Sequence, residues 1–355
     1  MAAATTVEEL SERVRAAAAS GTALRLRGGG SKDFYGGLLA GELLDLGACR
    51  GVIAYEPTEL YITARCGTPL AEVEAVLAER GQMLAFEPPH FGAATVGGCI
   101  AAGLAGPRRQ QAGAVRDFVL GLRLIDGTGQ VLDFGGQVMK NVAGYDVSRL
   151  LAGSLGTLGL IAEATLKVLP RPMAELTLGY EMTQAEAVST LNGWGGKPLP
   201  ITASFWHDGQ LAVRFSGARA AVEGVRQKLG GAVLAQADAF WLSVREQQHP
   251  AFAATPLWRL ALPSTAVLPA EVGVSVLEWG GAQRWVAAAA DGEALRGHAV
   301  AAGGHAVLFR AAESARCREG CFAPLAPPVL ALHRRLKKVF DPHAIFNPGR
   351  LYAEL

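Results

Sequence analysis

The stretch FGAATVGGCIAAGLAG, residues 91–106, constrains this chain more than any other. From Gly92 to Gly106, five residues are Gly and five are Ala. A run so poor in side chains fills little core, so something other than a side chain must lie against its backbone. Two further small-residue segments, RGGGSK (27–32) and GSLGTLGLI (153–161), fall in the same half of the chain. The first follows an alternating strand-like run, ALRLR (23–27), and the 91–106 segment reads as entering a helix near Gly98. Backbone N–H groups in a glycine turn or at a helix start cradle anions such as a diphosphate, and Ser31 and Thr95 add hydroxyl donors. Tight turns alone account for any one segment; three together favour a ligand. Neither G-x-G-x-x-G nor G-x-x-x-x-G-K-[ST] is present, because GGGSKD places Asp33 at the last required position of the former. A nucleotide here is held by another architecture.

The 355 residues allow about two domains. Half of them are apolar and 18% are charged, which suits a packed globular fold. A net charge of +1, with no basic block of the nucleic-acid kind, gives no sign of a polyanion partner; HRRLKK (333–338) reads as the solvated face of a helix. No apolar run approaches about 18 residues, so no spanning helix is expected. Glu8, Glu9 and Glu12 are unlike a secretory signal, which points to the cytoplasm, with docking on a membrane complex left open. The five scattered cysteines read as free thiols, and the lone Cys317-x3-Cys321 spacing is too little for a metal centre.

Thr6 and Glu9 form a capping box for an opening helix ended by Gly21. Strands are predicted at 51–56 and 60–66, then a helix with Pro69 at its first position and Gly81 beyond its end. FVLGLRLIDGTGQVLDF (118–134) reads as two strands joined at Asp126-Gly127, and LIAEATLKVLP (160–170) as another. LPRP (169–172) marks a boundary. Residues 175–238 suggest strand, helix, strand, strand, helix, strand, with a hairpin at Asp208-Gly209. Residues 257–311 repeat that order around Gly280-Gly281, though the first helix of this second half is barely visible. The six tryptophans all fall in this region and read as core or interface. A final helix near 328–339 precedes FDPHAIFNPGRLY.

The motifs LRLRGGGSK, EPPHFGAATVGGCIAAGLAG, AGAVRDFVLGLRLIDGTGQV, KNVAGYDVSRLLAGSLGTLGLIAEATLKVLP and FDPHAIFNPGRLY occur in an order that resembles FAD-linked oxidases of the vanillyl-alcohol-oxidase type. More narrowly, they resemble the smaller flavin subunits of bacterial glycolate oxidases. The resemblance implies an α+β fold: an FAD-binding domain of two α+β halves (1–172), a ferredoxin-like antiparallel-sheet cap (173–327), and a segment returning to the first domain (328–355). By motif position it implies that Gly28, Gly29, Gly30 and Ser31 meet the diphosphate. Thr95, Val96, Gly97 and Gly98 would form a second clamp, with Gly103 and Gly106 beside the ribityl chain. Gly113, Val115 and Arg116 would lie near the flavin or its phosphates, and Ile161 would pair its backbone with the cofactor edge.

Relatives with covalent FAD often carry His in the first glycine loop; here Ser31 and Lys32 stand there, so FAD is expected bound but not bonded. Leu155 replaces the Glu of the common G-S-E-G-T-L-G, as in the small glycolate oxidase subunit. None of the seven histidines sits in the H-x-G-D-G-N-x-H motif of the hydroxyacid dehydrogenases; His298 and His305 lack acidic company. No catalytic base is assigned, and His343 is a poor candidate. Arg350 is the suspected cation for a substrate carboxylate, with a chain-end ion pair as the other reading. Lys140 and Tyr145 are candidates for the flavin neighbourhood, with Tyr145 also readable as a packed aromatic.

The implied function is that of an FAD-binding subunit oxidising glycolate to glyoxylate beside a larger FAD subunit and an iron–sulfur subunit, peripheral at the inner membrane through that complex. The cysteine spacing leaves any cluster to a partner. Two alternatives stand: a self-sufficient flavin dehydrogenase of a hydroxyacid or sugar, and a non-catalytic flavin-bearing scaffold.

Overall fold

A computed structural model describes residues 5–136, 145–287 and 291–355. The opening helix, Val7–Ser20, is capped as its sequence requires. Thr6 Oγ1 accepts the Glu9 N–H (3.1 Å), Glu9 returns a carboxylate to the Thr6 N–H (2.8 Å), and Gly21 turns left-handed at φ 69°. Val7, Leu10, Val14 and Ala17 recur at helical spacing and pack on Leu24, Leu44, Ile125, Leu160 and Phe346. Burying Leu10 completely stabilises this contact by about 2–3 kcal/mol.

Leu24–Arg27 and Glu42–Asp45 form a parallel pair beneath that helix. A five-stranded antiparallel sheet follows in the order Val52–Glu56, Tyr61–Arg65, Leu160–Lys167, Val119–Ile125, Val131–Gly135. Asp126 builds the turn expected at Asp126-Gly127: its Oδ1 accepts the N–H groups of Thr128 and Gln130 (2.8 and 2.9 Å). Pro69 sits one place outside the helix Leu70–Ala78, at its cap.

Beyond Leu169–Pro170 the chain enters one eight-stranded antiparallel sheet. Ala174–Glu181, Ile201–His207, Gln210–Gly217 and Ala232–Val233 lie in spatial order fourth, first, third, second. Leu257–Ala261, Val274–Glu278, Gln283–Ala287 and His305–Arg310 repeat that order in reverse. The two second strands meet antiparallel at Trp206 and Leu277. The unit is therefore doubled. Its second copy has only a helical turn, Ala270–Val272, where the first has the helix Gln184–Gly195, which explains the faint sequence signal. Trp206, Trp241, Trp258 and Trp285 are buried.

The last helix, Pro327–Phe340, delivers the C-terminal segment back to the first domain. Leu24 donates to the Ile345 carbonyl (2.6 Å) and Asn347 to that of Leu24 (2.9 Å). Lys337 departs from the solvated face predicted for HRRLKK. It is buried, donating to Asp341 (2.7 Å) and to the Thr157 and Phe346 carbonyls (2.8 and 2.9 Å).

Candidate functional site

The three glycine segments converge on one cleft. Gly28, Gly29, Gly30 and Ser31 line one side, and Thr95, Gly97 and Gly98 another; Leu155, Gly156 and Ile161 complete it with Asn347 and Arg350.

The first loop is a row of unpaired donors. Along one edge of the Leu24–Arg27 strand, the Leu24 N–H finds the Ile345 carbonyl and the Leu26 N–H finds Asn347 Oδ1 (2.8 Å). The row then outruns its partner. Among the described residues, the N–H groups of Gly28, Gly29, Gly30, Ser31 and Lys32 find no acceptor. Gly30, at φ 69°, curls this stretch into a concave nest.

What lies against the glycines is in part the protein's own backbone. A Cβ on Gly29 would collide with the Ala93 carbonyl, one on Gly28 with Thr95 Oγ1, and one on Gly97 would come within 2.8 Å of Cys66 Cβ. Gly28 and Gly29 let the two loops press together, and Gly97 lets the second loop sit against the end of the strand Tyr61–Arg65. Gly98 differs: a Cβ there meets only Thr95 Oγ1, at 3.2 Å, and its open side is the cleft. The helix Val96–Ala102 starts two residues before the expected Gly98, with Thr95 as its cap.

Arg350 sits beneath the nest. Its guanidinium donates to the carbonyls of Lys32 and Asp33 (3.1 Å each) and of Gly37, with no carboxylate partner among the described residues. Burial, and then the neighbouring Arg316 cation, bring its pKa down to about 10, so it stays charged at neutral pH. Lys32 also lines the cleft, and burial lowers its pKa from the ordinary lysine value. Ser31 Oγ accepts from its Nζ (3.3 Å). Five free N–H donors over two cations suit a diphosphate. The donor set and the glycine-only approach therefore fit a dinucleotide such as FAD.

The other expected residues lie elsewhere. Val96 is fully buried in the core below the clamp. Gly103 ends the Val96–Ala102 helix at φ 65° and lies against Gly153. Gly106 sits on the seam with the cap, its carbonyl accepting from Trp279 Nε1 (3.1 Å). Gly113, at φ 108°, packs beside Asp117; Val115 is core, and Arg116 is exposed beside Asp117 (3.9 Å). None of these six lines the cleft. Tyr145 is 96% exposed, which removes its reading as a packed aromatic, and Lys140 lies outside the described residues. Asn347, which the sequence did not single out, joins two walls: its Nδ2 donates to the Leu155 carbonyl (2.7 Å) while its Oδ1 holds Leu26.

Comparison with known proteins bears on this cleft. The family described as "FAD binding domain" matches residues 1–135, and "FAD linked oxidases, C-terminal domain" matches residues 325–351. The chain is 47% identical over 350 residues to the glycolate oxidase subunit GlcE of Escherichia coli, covering 98% of each protein. The chain belongs to the FAD-linked oxidases. This family member is an FAD-dependent oxidoreductase of the vanillyl-alcohol-oxidase type. It is also 31% identical to the glycolate oxidase subunit GlcD of Bacillus subtilis, but over only 46% of this chain and 35% of that protein. Among solved structures, an alkyldihydroxyacetonephosphate synthase superposes over 96% of the chain and 75% of its own length with a TM-score of 0.67 at 16% identity, a likeness of fold.

Proposed function

We propose that the chain is the FAD-bearing subunit of a glycolate-oxidising complex that passes electrons to an iron–sulfur partner beside a larger flavin subunit. The observation that carries this reading is the nest of five free N–H groups from Gly28 to Lys32 above Arg350, in a chain so similar over its whole length to a glycolate oxidase subunit. FAD, when bound, supplies the two-electron acceptor. The chain's own residues hold and orient it: the nest and Arg350 take the diphosphate, Thr95 and Gly98 the second face of the cleft, and Ile161 an edge of the ligand. The thiol of Cys99 is fully buried, with its pKa pushed up to about 12 by burial, so no thiolate competes for a reactive centre there. Electrons leave through a partner, since the five cysteines are scattered and four are buried. Among the described residues no helix is long and apolar enough to cross a membrane.

The visible spectrum of the purified chain, before and after adding glycolate without oxygen, tests the reading. A flavin spectrum, released as free FAD on denaturation, is expected. A chain that takes up no flavin after soaking in FAD overturns it.

A further inference from the structure

Asn347 ties the far end of the chain to all three walls of the cofactor cleft. Residues 345–347 run parallel to the strand Leu24–Arg27, with Phe346 opposite Leu24. The backbone then turns away: Asn347 takes φ 41°, a left-handed conformation that asparagine tolerates, and Pro348 follows. Its side chain carries on where the backbone leaves. Oδ1 accepts the Leu26 N–H (2.8 Å), the last filled place in the row before the free N–H of Gly28. Nδ2 donates to the Leu155 carbonyl (2.7 Å), and the Leu155 N–H donates to the Ala101 carbonyl (2.8 Å) on the helix Val96–Ala102. One hydrogen-bonded path thus runs from the strand that feeds the first glycine segment, through Asn347, to the third segment and on to the second. Gly156 belongs to the fit, since a Cβ there would come within 2.7 Å of Asn347 Nδ2.

Asn347 is 8% exposed, and it lines the cleft. Losing its amide would leave the Leu26 N–H and the Leu155 carbonyl without this partner. The chain on either side is anchored separately. Asp341 accepts from the N–H groups of Ile345 (3.1 Å) and Phe346 (2.8 Å), and Arg350 donates to the carbonyls of Lys32, Asp33 and Gly37. Between these anchors, Asn347 is where the C-terminal segment meets the walls themselves.

We propose that Asn347 is a positioning residue that couples the C-terminal segment to the cofactor: seating the segment sets the spacing of the three walls, and FAD held between them keeps the segment seated. The proposal rests on the reading of this cleft as the FAD site. A ligand that needs one spacing of the walls binds more tightly when that spacing is already set, and such a coupling is reciprocal. Whatever lifts residues 345–350 therefore loosens FAD, and FAD slows their lifting. Asn347 differs in this from Arg350, which brings a cation to the cleft, because it acts through Leu26 and Leu155.

Hydrogen exchange of the full-length chain, first stripped of flavin and then saturated with FAD, tests this by mass spectrometry of peptides covering 341–355. FAD is expected to slow exchange there by about tenfold or more, well beyond its effect on the cap helix Arg219–Leu229, which does not line the cleft. Asn347→Gly keeps the left-handed backbone and removes the amide. At saturating FAD this variant should keep the slowing in residues 24–32 and lose it in 341–355, and its FAD affinity by fluorescence titration should fall by about tenfold or more. A merely structural role would move both segments together. Equal exchange in 341–355 with and without bound FAD in the unmodified chain overturns the proposal and needs no variant to fold. An Asn347→Gly chain in which both segments still respond alike overturns it too. A chain that takes up no flavin sinks the cofactor reading and this proposal with it, whereas flavin bound without protection of 341–355 sinks this proposal alone.

Discussion

Glu87 Oε1 lies 2.8 Å from Nη2 of Arg214, joining the first domain to the cap sheet through an ion pair with little exposure on either side. Arg108 adds a second guanidinium to the same carboxylate (3.3 Å) and reaches on to Glu175. Removing Glu87 leaves two buried cations without their shared partner. Glu87→Gln should therefore cost about 3–5 kcal/mol in urea unfolding. A loss below about 1 kcal/mol would mean that the seam is held by apolar packing instead.

Two carboxyls set opposite pH slopes. Burial alone would raise the Glu87 pKa, but Arg214 and then Arg108 more than offset it and hold it below the ordinary value. Its contribution is present above the unfolded-state pKa and is lost as pH falls through the folded one. Glu278 is raised to about 7, so its contribution is present below about pH 4.5 and is lost as pH rises toward 7. Glu278→Gln, whose amide oxygen can still accept from Trp285 and Gln283, should remove that second loss. Thermal melts from pH 5 to 8 are expected to show a flatter profile for the variant, by up to about 3 kcal/mol at the upper end. Parallel profiles would place the Glu278 titration elsewhere.

Gly98→Ala separates folding from binding. In the helix Val96–Ala102 the change should stabilise by about 0.5–1 kcal/mol, because alanine has less freedom to lose on folding. The added methyl also projects toward the cleft, so FAD affinity should fall about tenfold or more by fluorescence titration. Unchanged affinity would show that the dinucleotide does not approach this face.

Arg350→Met strips three carbonyls of a charged donor at once. Stability is expected to fall by about 2–4 kcal/mol and FAD affinity with it. If Arg350→Lys restores stability but not FAD binding, the fork geometry of the guanidinium is what the diphosphate needs.

The parts of this fold legible in the sequence are those written in local chemistry. The Thr6–Glu9 box, the Asp126 turn and the glycine loops each act within a few residues and were read at nearly their observed places. The doubled cap was harder, because its second copy replaces a helix with the turn Ala270–Val272 and so breaks the repeat. Long-range partners were invisible. Lys337 pairs with Asp341 four residues on, but its burial also depends on the Thr157 carbonyl, 180 positions away. Arg350 was singled out as a cation, but its role in tying down residues 32–37 required contacts more than 300 positions away. Arg259 and Glu278 are ordinary members of ordinary strands until the sheet brings them to one cavity.

The double-sided placement of residues 91–106 bears on how this protein can change. Thr95, Gly97, Gly98, Ala101 and Ala102 line the FAD cleft, and Leu104 to Pro107, next along the chain, line the narrow pocket on the seam with the cap. A side chain on Gly97 would run into Cys66 and one on Gly106 into the Glu87 carbonyl, so drift at these places is confined to glycine on both the cofactor side and the cap side of the stretch.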